Sequence, residues 1–183
     1  STDRSMSLVQ HIRDSASVAS HLWDDWVPQS VRALIGADLP EGETDGRILV
    51  TWLAAGHDLG KASPAFVGLV PALGEISRSH GLDVPAGRLT THERRLSRHS
   101  VASHLLWRRW LTDHGWEQPV ADTYAVVPGG HHGSPPTSRN LLDLTEAPHL
   151  VGGSTAWAAV HDELATHCVT ISGAHERLTA WSD

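Results

Sequence analysis

Six side chains of this sequence have the types and the spacing needed to bind metal ions. The dipeptide His57-Asp58 lies within the segment LAAGHDLGKASPAF, one candidate histidine precedes it, and three follow it. The six residues are His11, His57, Asp58, His99, His131 and His132. Imidazole and carboxylate groups from separate helices or helix ends converge on metal ions in helical bundles. The pattern therefore indicates metal-dependent chemistry.

The dipeptide His57-Asp58 by itself is compatible with a solvated helix end as well as with a metal site. Lys61, three residues after Asp58, favours the functional interpretation. A compact cation beside a metal-bound carboxylate can hold a phosphate oxygen. A phosphate-binding P-loop is excluded, because only three residues separate the two glycines of GHDLGKAS and an alanine follows the lysine.

The pair His131-His132 lies in the glycine- and proline-rich segment GGHHGSPP. A backbone with this freedom allows two adjacent imidazoles to face one ion. The alternative for this pair is a solvated surface turn. His11 and His99 lie on predicted amphipathic helices, where each can instead be a packed helix histidine without a ligand role.

The composition is that of an ordinary globular protein, and it limits the class of function. The chain has 183 residues, with 40% hydrophobic and 19% charged residues, which predicts one domain. No apolar run approaches the roughly 18 residues of a membrane span, and no signal peptide opens the chain, so we expect a cytoplasmic protein. The net charge of −7 argues against a broad basic face for duplex DNA. Bound cations can still supply local positive charge.

Apolar residues recur at three- and four-residue steps, the period of an amphipathic helix. In the first helix this stripe comprises Leu8, Ile12, Ser15, Val18, Ala19, Leu22 and Trp26. Helices are predicted over residues 8–26, 44–55, 63–70, 98–111 and 119–127, with a final pair over 154–181. Glycines and prolines predict loops over residues 74–98 and 129–136. No segment alternates like a strand, so the predicted fold class is all-α, a helical bundle.

Four segments together resemble the HD nuclease domain of the CRISPR-associated helicase-nuclease of type I interference systems. They are LVQHIRDSASVA, WLAAGHDLGKASPAF, SRHSVASHLLW and VVPGGHHGSPP. An HD dipeptide alone indicates only the broad HD phosphohydrolase superfamily, whereas the ordered combination is much more specific. The resemblance extends from about residue 8 to residue 136, and it implies the HD-domain helical bundle.

The resemblance implies two divalent transition-metal ions, either manganese, iron, cobalt or nickel, with zinc also compatible. It implies that Asp58 bridges both ions, that His11 and His57 bind one, and that the other is bound by His99, His131 and His132. The implied activity is cleavage of single-stranded DNA in antiviral defence, with Lys61 stabilising the charge that develops on the phosphate. The implied partners are a helicase domain in the same full-length chain and an RNA-guided CRISPR surveillance complex, with no membrane.

The sequence departs from the family pattern at its end. The family completes its first metal site with an aspartate from a late helix, whereas this sequence ends in LTAWSD, and Asp183 stands outside the family pattern. We therefore expect residues 1–183 to be an HD nuclease domain truncated before its last metal-ligand helix. Two alternatives stay open: an HD-superfamily phosphohydrolase that acts on a small nucleotide, and a non-catalytic helical metal-binding module.

Overall fold

The structure is a computed structural model that describes residues 6–182, so Asp183 lies outside the described residues. No β-strand occurs within residues 6–182, which confirms the all-α prediction. In chain order the helices are α1 (Leu8–Asp25), α2 (Gln29–Gly36), α3 (Glu43–Gly56), α4 (Pro64–Val67), α5 (Pro71–Ser79), α6 (Thr91–Leu96), α7 (His99–Asp113), α8 (Gln118–Gly129), α9 (Ser138–Thr145), α10 (Pro148–Val151), α11 (Thr155–Ser172) and α12 (Leu178–Trp181). Two 3₁₀ turns are Leu59–Lys61 and Ala174–Glu176.

The chain divides into two compact units. The first unit comprises residues 1–56 and 166–183, and the second comprises residues 57–165. The boundary falls within α11, which contributes residues to both. Among the helices of residues 6–182, none combines the length and the apolar character that a membrane crossing requires.

In the first unit, α1 packs against α3. Gly46 permits this approach, because a Cβ atom there would lie 2.8 Å from the Trp23 ring. Asp45 is fully buried in the first turn of α3. Its carboxylate accepts hydrogen bonds from Arg177 Nε at 2.7 Å and from Trp181 Nε1 at 3.1 Å. A buried carboxylate is costly unless it is paired, so these donors hold the C-terminal segment against α3.

The predicted apolar stripe of α1 is wrong over its second half. Val18, Leu22 and Trp26 are 57%, 47% and 80% exposed. The face that α1 buries consists of Ile12 and Ala19, which the predicted stripe included, and of Ala16 and Trp23, which it did not. The buried face is therefore rotated toward Ala16 and Trp23.

The predicted loop over residues 74–98 is wrong, because it contains most of α5 and all of α6. Pro71 begins α5 at a position where proline is favoured. Thr90 and Glu93 form a reciprocal capping box at the start of α6. The third predicted helix is also shorter than expected, since α4 ends at Val67. Helices α2, α9 and α10 were not predicted.

Helix α7 is the central helix of the second unit. It is buried along most of its length and packs against α8, α9 and the turn Leu59–Lys61. Its first residue is His99, and the pair His131-His132 follows directly after the end of α8. The packing of α8 and the turn on α7 therefore brings the chemistry-bearing segments of this unit together.

Candidate metal centre

Asp58 lies at the middle of the candidate centre, directly before the turn Leu59–Lys61. The residue is 3% exposed. Its Oδ2 atom lies 2.6 Å from Lys61 Nζ and 3.1 Å from His57 Nε2. Its Oδ1 atom lies 3.3 Å from His99 Nε2 and 3.6 Å from His131 Nε2. The two oxygens of one buried carboxylate thus face two different sets of groups, as a bridging ligand requires.

Gly60 explains how the turn comes so close to α7. A Cβ atom at this position would overlap the carbonyl oxygen of His99 and would lie 2.5 Å from the backbone nitrogen of Ser103. The Gly60 N–H donates a hydrogen bond of 2.9 Å to Ser103 Oγ. The absence of a side chain therefore lets the turn lie on the first turns of α7, beside His99.

His99 places its Nε2 atom close to those of the two other predicted histidine ligands, His131 and His132. His99 Nε2 lies 3.3 Å from His131 Nε2 and 2.9 Å from His132 Nε2. His131 Nδ1 donates to the carbonyl oxygen of Pro128 at 2.6 Å. This hydrogen bond leaves the lone pair of His131 on Nε2, and metal-ligating histidines are commonly oriented in the same way.

Gly129 allows the end of α8 to reach this position. A Cβ atom there would lie 2.8 Å from the Cβ atom of His104, a buried residue of α7. His104 Nε2 is held at 2.8 Å from Asp122 on α8. Helices α7 and α8 are therefore joined by the His104–Asp122 pair and by the close contact at Gly129. Gly129 lies just before the histidine pair in the sequence.

The protonation states of these groups suit cation binding. Burial raises the pKa of Asp58, but hydrogen bonds and charge from His57 and Lys61 outweigh it and hold this pKa well below its usual range. Burial lowers the pKa of His99 to about 4, although the Asp58 carboxylate opposes the change. Burial also lowers the pKa of His131. The centre therefore combines an ionised carboxylate with neutral imidazoles at His99 and His131.

The donor atoms have the separations of ligands around one ion. His99, His131 and His132 offer ligand atoms that lie within 4.8 Å of one another. For metal–nitrogen bonds of about 2.0–2.1 Å, neighbouring ligand atoms are roughly 2.9–3.4 Å apart. The two distances between imidazole nitrogens and the 3.3 Å distance from His99 to Asp58 fall in this range. The distance of 3.6 Å from His131 to Asp58 is slightly longer. These residues can hold a metal ion.

Lys61 and His57 both contact Asp58 in the second unit. The sequence predicted that both residues lie beside this carboxylate. Lys61 is the only lysine among the 183 residues. His11 lies half-buried on α1, in the first unit, and its role as a metal ligand stays a prediction.

His161 supports the centre and was not predicted to do so. Its Nε2 atom donates a hydrogen bond of 2.7 Å to the carbonyl oxygen of Ala62, the residue after the turn. Burial lowers the pKa of His161 to about 4, so the ring is neutral at ordinary pH. It lies on α11, far from Ala62 in sequence, and no motif surrounds it. The sequence therefore carries no signal of this contact.

This chain is similar to known CRISPR-associated proteins. The whole chain, residues 1–183, matches the family described as Cas3, HD domain. It is 29% identical over 143 residues to the CRISPR-associated nuclease/helicase Cas3 of Streptococcus thermophilus, an alignment that covers 71% of this chain and 14% of that protein. It is 32% identical over 129 residues to the CRISPR-associated endonuclease/helicase Cas3 of Thermus thermophilus, covering 70% of this chain and 13% of that protein.

A solved structure described as the crystal structure of a CRISPR-associated protein has the same fold. The TM-score is 0.76 at 29% sequence identity, and the match covers 91% of this chain and 18% of the solved chain. The chain thus spans only a small part of the length of these relatives. The resemblance seen in four sequence segments is confirmed, and the chain belongs to the Cas3 HD domain family.

Proposed function

We propose that this chain is a metal-dependent nuclease that cleaves the phosphodiester backbone of single-stranded DNA in CRISPR antiviral defence. The observation that carries the proposal is the convergence of a buried carboxylate, three imidazoles and the single lysine in the second unit. The names of two relatives, nuclease/helicase and endonuclease/helicase, support the same chemistry.

The proposed centre takes two divalent transition-metal ions, with manganese, iron, cobalt, nickel or zinc as candidates. The proposed ligands are His11, His57, Asp58, His99, His131 and His132. When bound, such ions supply an activated water nucleophile and neutralise charge on the phosphate. The distances from Asp58 Oδ1 to His99 and His131 support the half of this assignment that lies within the second unit.

Asp58 contributes a permanent negative charge at the base of the centre. The carboxylate is buried, and its pKa lies well below the usual range, so it is ionised at ordinary pH. An anionic ligand offsets part of the repulsion between two neighbouring cations. Its two oxygens face opposite groups of side chains, which suits a ligand shared between two ions.

Lys61 holds the phosphate in this proposal. Its side chain is 31% exposed, so the ammonium group reaches both Asp58 and an incoming strand. A positive charge placed beside the phosphate stabilises the negative charge that develops on its oxygens in the transition state. The chain as a whole carries a net charge of −7, so attraction of DNA is confined to the centre and its surroundings.

The proposed partners follow from the relatives. Because the matched relatives are several times longer and are named helicases, we place this chain next to a helicase domain in the same polypeptide. The helicase would supply single-stranded DNA, and an RNA-guided CRISPR surveillance complex would deliver the target.

A nuclease assay on circular single-stranded DNA tests the proposal. The chain is incubated with manganese, iron, cobalt, nickel or zinc after removal of bound metal with EDTA. We expect cleavage with at least one metal and none in EDTA, because the neutral imidazoles and the carboxylate act only through bound ions. Hydrolysis of free nucleotides without strand cleavage would instead support a small-nucleotide phosphohydrolase. Metal binding without either reaction would support the non-catalytic module.

A further inference from the structure

The aromatic residues of this chain differ in whether they can meet a nucleobase. Seven of the eight tryptophans are buried, and they are Trp23, Trp52, Trp107, Trp110, Trp116, Trp157 and Trp181. A ring with almost no exposed surface cannot stack on a base. Phe66, the only phenylalanine, is half-buried and borders the candidate metal centre.

Phe66 is held firmly beside the groups that surround Asp58. Its ring centroid lies 5.6 Å from that of His99, with the planes inclined at 76°. Lys61 Nζ lies 5.9 Å from the same ring centroid and 2.6 Å from Asp58 Oδ2. The ring therefore stands next to the position where a phosphate would lie.

The short helix α4 fixes this position from the other side. The Ser63 side chain caps the helix by accepting from the backbone N–H of Phe66, and Ser63 Oγ donates to the carbonyl oxygen of Gly60 at 2.8 Å. Pro64 and Ala65 are buried. Phe66 is thus anchored to the same turn that carries Lys61, and the residue is not fully buried.

We propose that the Phe66 ring stacks on the nucleobase next to the phosphate held at Lys61. The inference rests on the proposed function, and it adds a base-contacting residue to a site otherwise described by its phosphate chemistry. One sugar ring separates a phosphate from its base, so a strand seated at the centre brings a base to this ring. Stacking tolerates every base, because each has a π-face, but it requires a base that is not covered by its neighbours in a duplex. Phe66 therefore favours a single strand without selecting a sequence.

The experiment compares two strands of equal length and charge in EDTA, where no cleavage occurs. One is a thymidine oligonucleotide, and the other carries abasic tetrahydrofuran residues throughout. Fluorescence anisotropy at low salt gives the Kd of each strand for the wild type, Phe66→Leu and Phe66→Trp. Trp26→Leu is the matched control, because Trp26 is an aromatic residue that is 80% exposed on the first unit.

Stacking predicts that Phe66→Leu weakens binding of the thymidine strand by about 5- to 150-fold and leaves binding of the abasic strand unchanged. Phe66→Trp and Trp26→Leu should bind the thymidine strand as the wild type does. Equal losses on both strands would overturn the proposal, since Phe66 would then serve only to support His99 and Lys61. Unchanged thymidine binding in Phe66→Leu, or no binding by the wild type, would overturn it as well.

Cleavage measured on the same proteins separates this inference from the proposed function. Wild-type chain that binds the thymidine strand through Phe66 but cleaves it with none of the metals would contradict the nuclease function alone. Manganese affinity of Phe66→Leu, measured by titration calorimetry, should equal that of the wild type. A lower affinity would show that the ring supports the metal ligands, and it would overturn the stacking role.

Discussion

Asp58 is the residue around which the chemistry of the second unit is arranged. Both of its oxygens have close partners, and its burial would make the charge costly without them. The dipeptide and the lysine three residues later are visible in the sequence. The direction in which each carboxylate oxygen points is not visible there, and it is this direction that supports a bridging role.

Replacement of Asp58 by alanine should reduce DNA cleavage to below about a tenth of the wild-type rate, a loss of more than about 1.4 kcal/mol of transition-state stabilisation. The change removes an anionic ligand but little apolar packing, so the helical circular dichroism spectrum should not change. Asp113→Ala is a matched control, because Asp113 is exposed at the end of α7. Activity of Asp58→Ala above a tenth of wild type would contradict the assignment.

Lys61→Met should lower kcat for DNA cleavage by roughly 10²- to 10³-fold, the range seen when one group that stabilises developing charge is removed. Methionine keeps much of the apolar stem, and lysine is not a predicted metal ligand, so manganese affinity should not fall. Lys61→Arg should restore only part of the rate, because a planar guanidinium presents its charge differently. A large loss of manganese affinity in Lys61→Met would show that Lys61 acts through Asp58 instead.

At the scale of elements, the centre depends on two close approaches to α7. The turn Leu59–Lys61 lies against its first turns at Gly60, and the end of α8 lies against His104 at Gly129. The contact at Gly60 positions Asp58, and the contact at Gly129 positions the pair His131-His132. The precision of the centre is therefore set by backbone packing as much as by the ligands.

Gly60→Ala should disrupt the centre, since the new Cβ atom would overlap backbone atoms of α7 that cannot move aside without shifting the helix. We expect the free energy of unfolding to fall by about 1–3 kcal/mol, the typical cost of overpacking. Cleavage by the protein that remains folded should also fall. Gly87→Ala is the control, because open space surrounds that position, and it should change stability by less than about 0.5 kcal/mol. Urea denaturation of both variants measures the difference, and equal stabilities would refute the close-approach argument.

At the scale of the whole molecule, buried neutral histidines predict that the protein becomes less stable in mild acid. The pKa of His161 is about 4 in the folded chain, against an ordinary value of about 6.5 when unfolded. As pH falls below 6.5 the unfolded chain takes up a proton that the folded chain does not, so stability is lost progressively down to about pH 4. His99 acts in the same direction.

His161→Gln should remove part of this acid sensitivity. Glutamine can still donate a hydrogen bond to the Ala62 carbonyl but does not titrate. Between pH 6.5 and pH 4 the free energy of unfolding should fall more for the wild type than for the variant. The difference between the two falls should be on the order of 3 kcal/mol. Urea denaturation of both proteins at several pH values in EDTA checks this, and parallel pH profiles would show that His161 does not contribute.

Part of this protein can be predicted from its sequence because the relevant signals are local. Helical periodicity predicted the all-α class and the positions of α1, α3 and α7, and the order of the histidines and the HD dipeptide predicted the family. Glycines and Pro85 favour a loop over residues 74–98, and the helix starts at Pro71 and Thr90 are only local signals. Such signals mark the first residue of a helix but do not indicate how far the helix extends.

Only the tertiary structure decided which atoms meet. The side of α1 that is buried depends on packing with α3, and it includes Ala16 and Trp23 while Val18, Leu22 and Trp26 are exposed. The contact of His161 with Ala62 joins residues nearly a hundred positions apart. The sequence alone determined which ligand types the chain carries and where along it they stand. The separations and the burial of these ligands, and the position of half-buried Phe66 beside them, arise from the packing of the turn and α8 on α7. Distances between elements depend on side-chain packing and not on spacing along the chain.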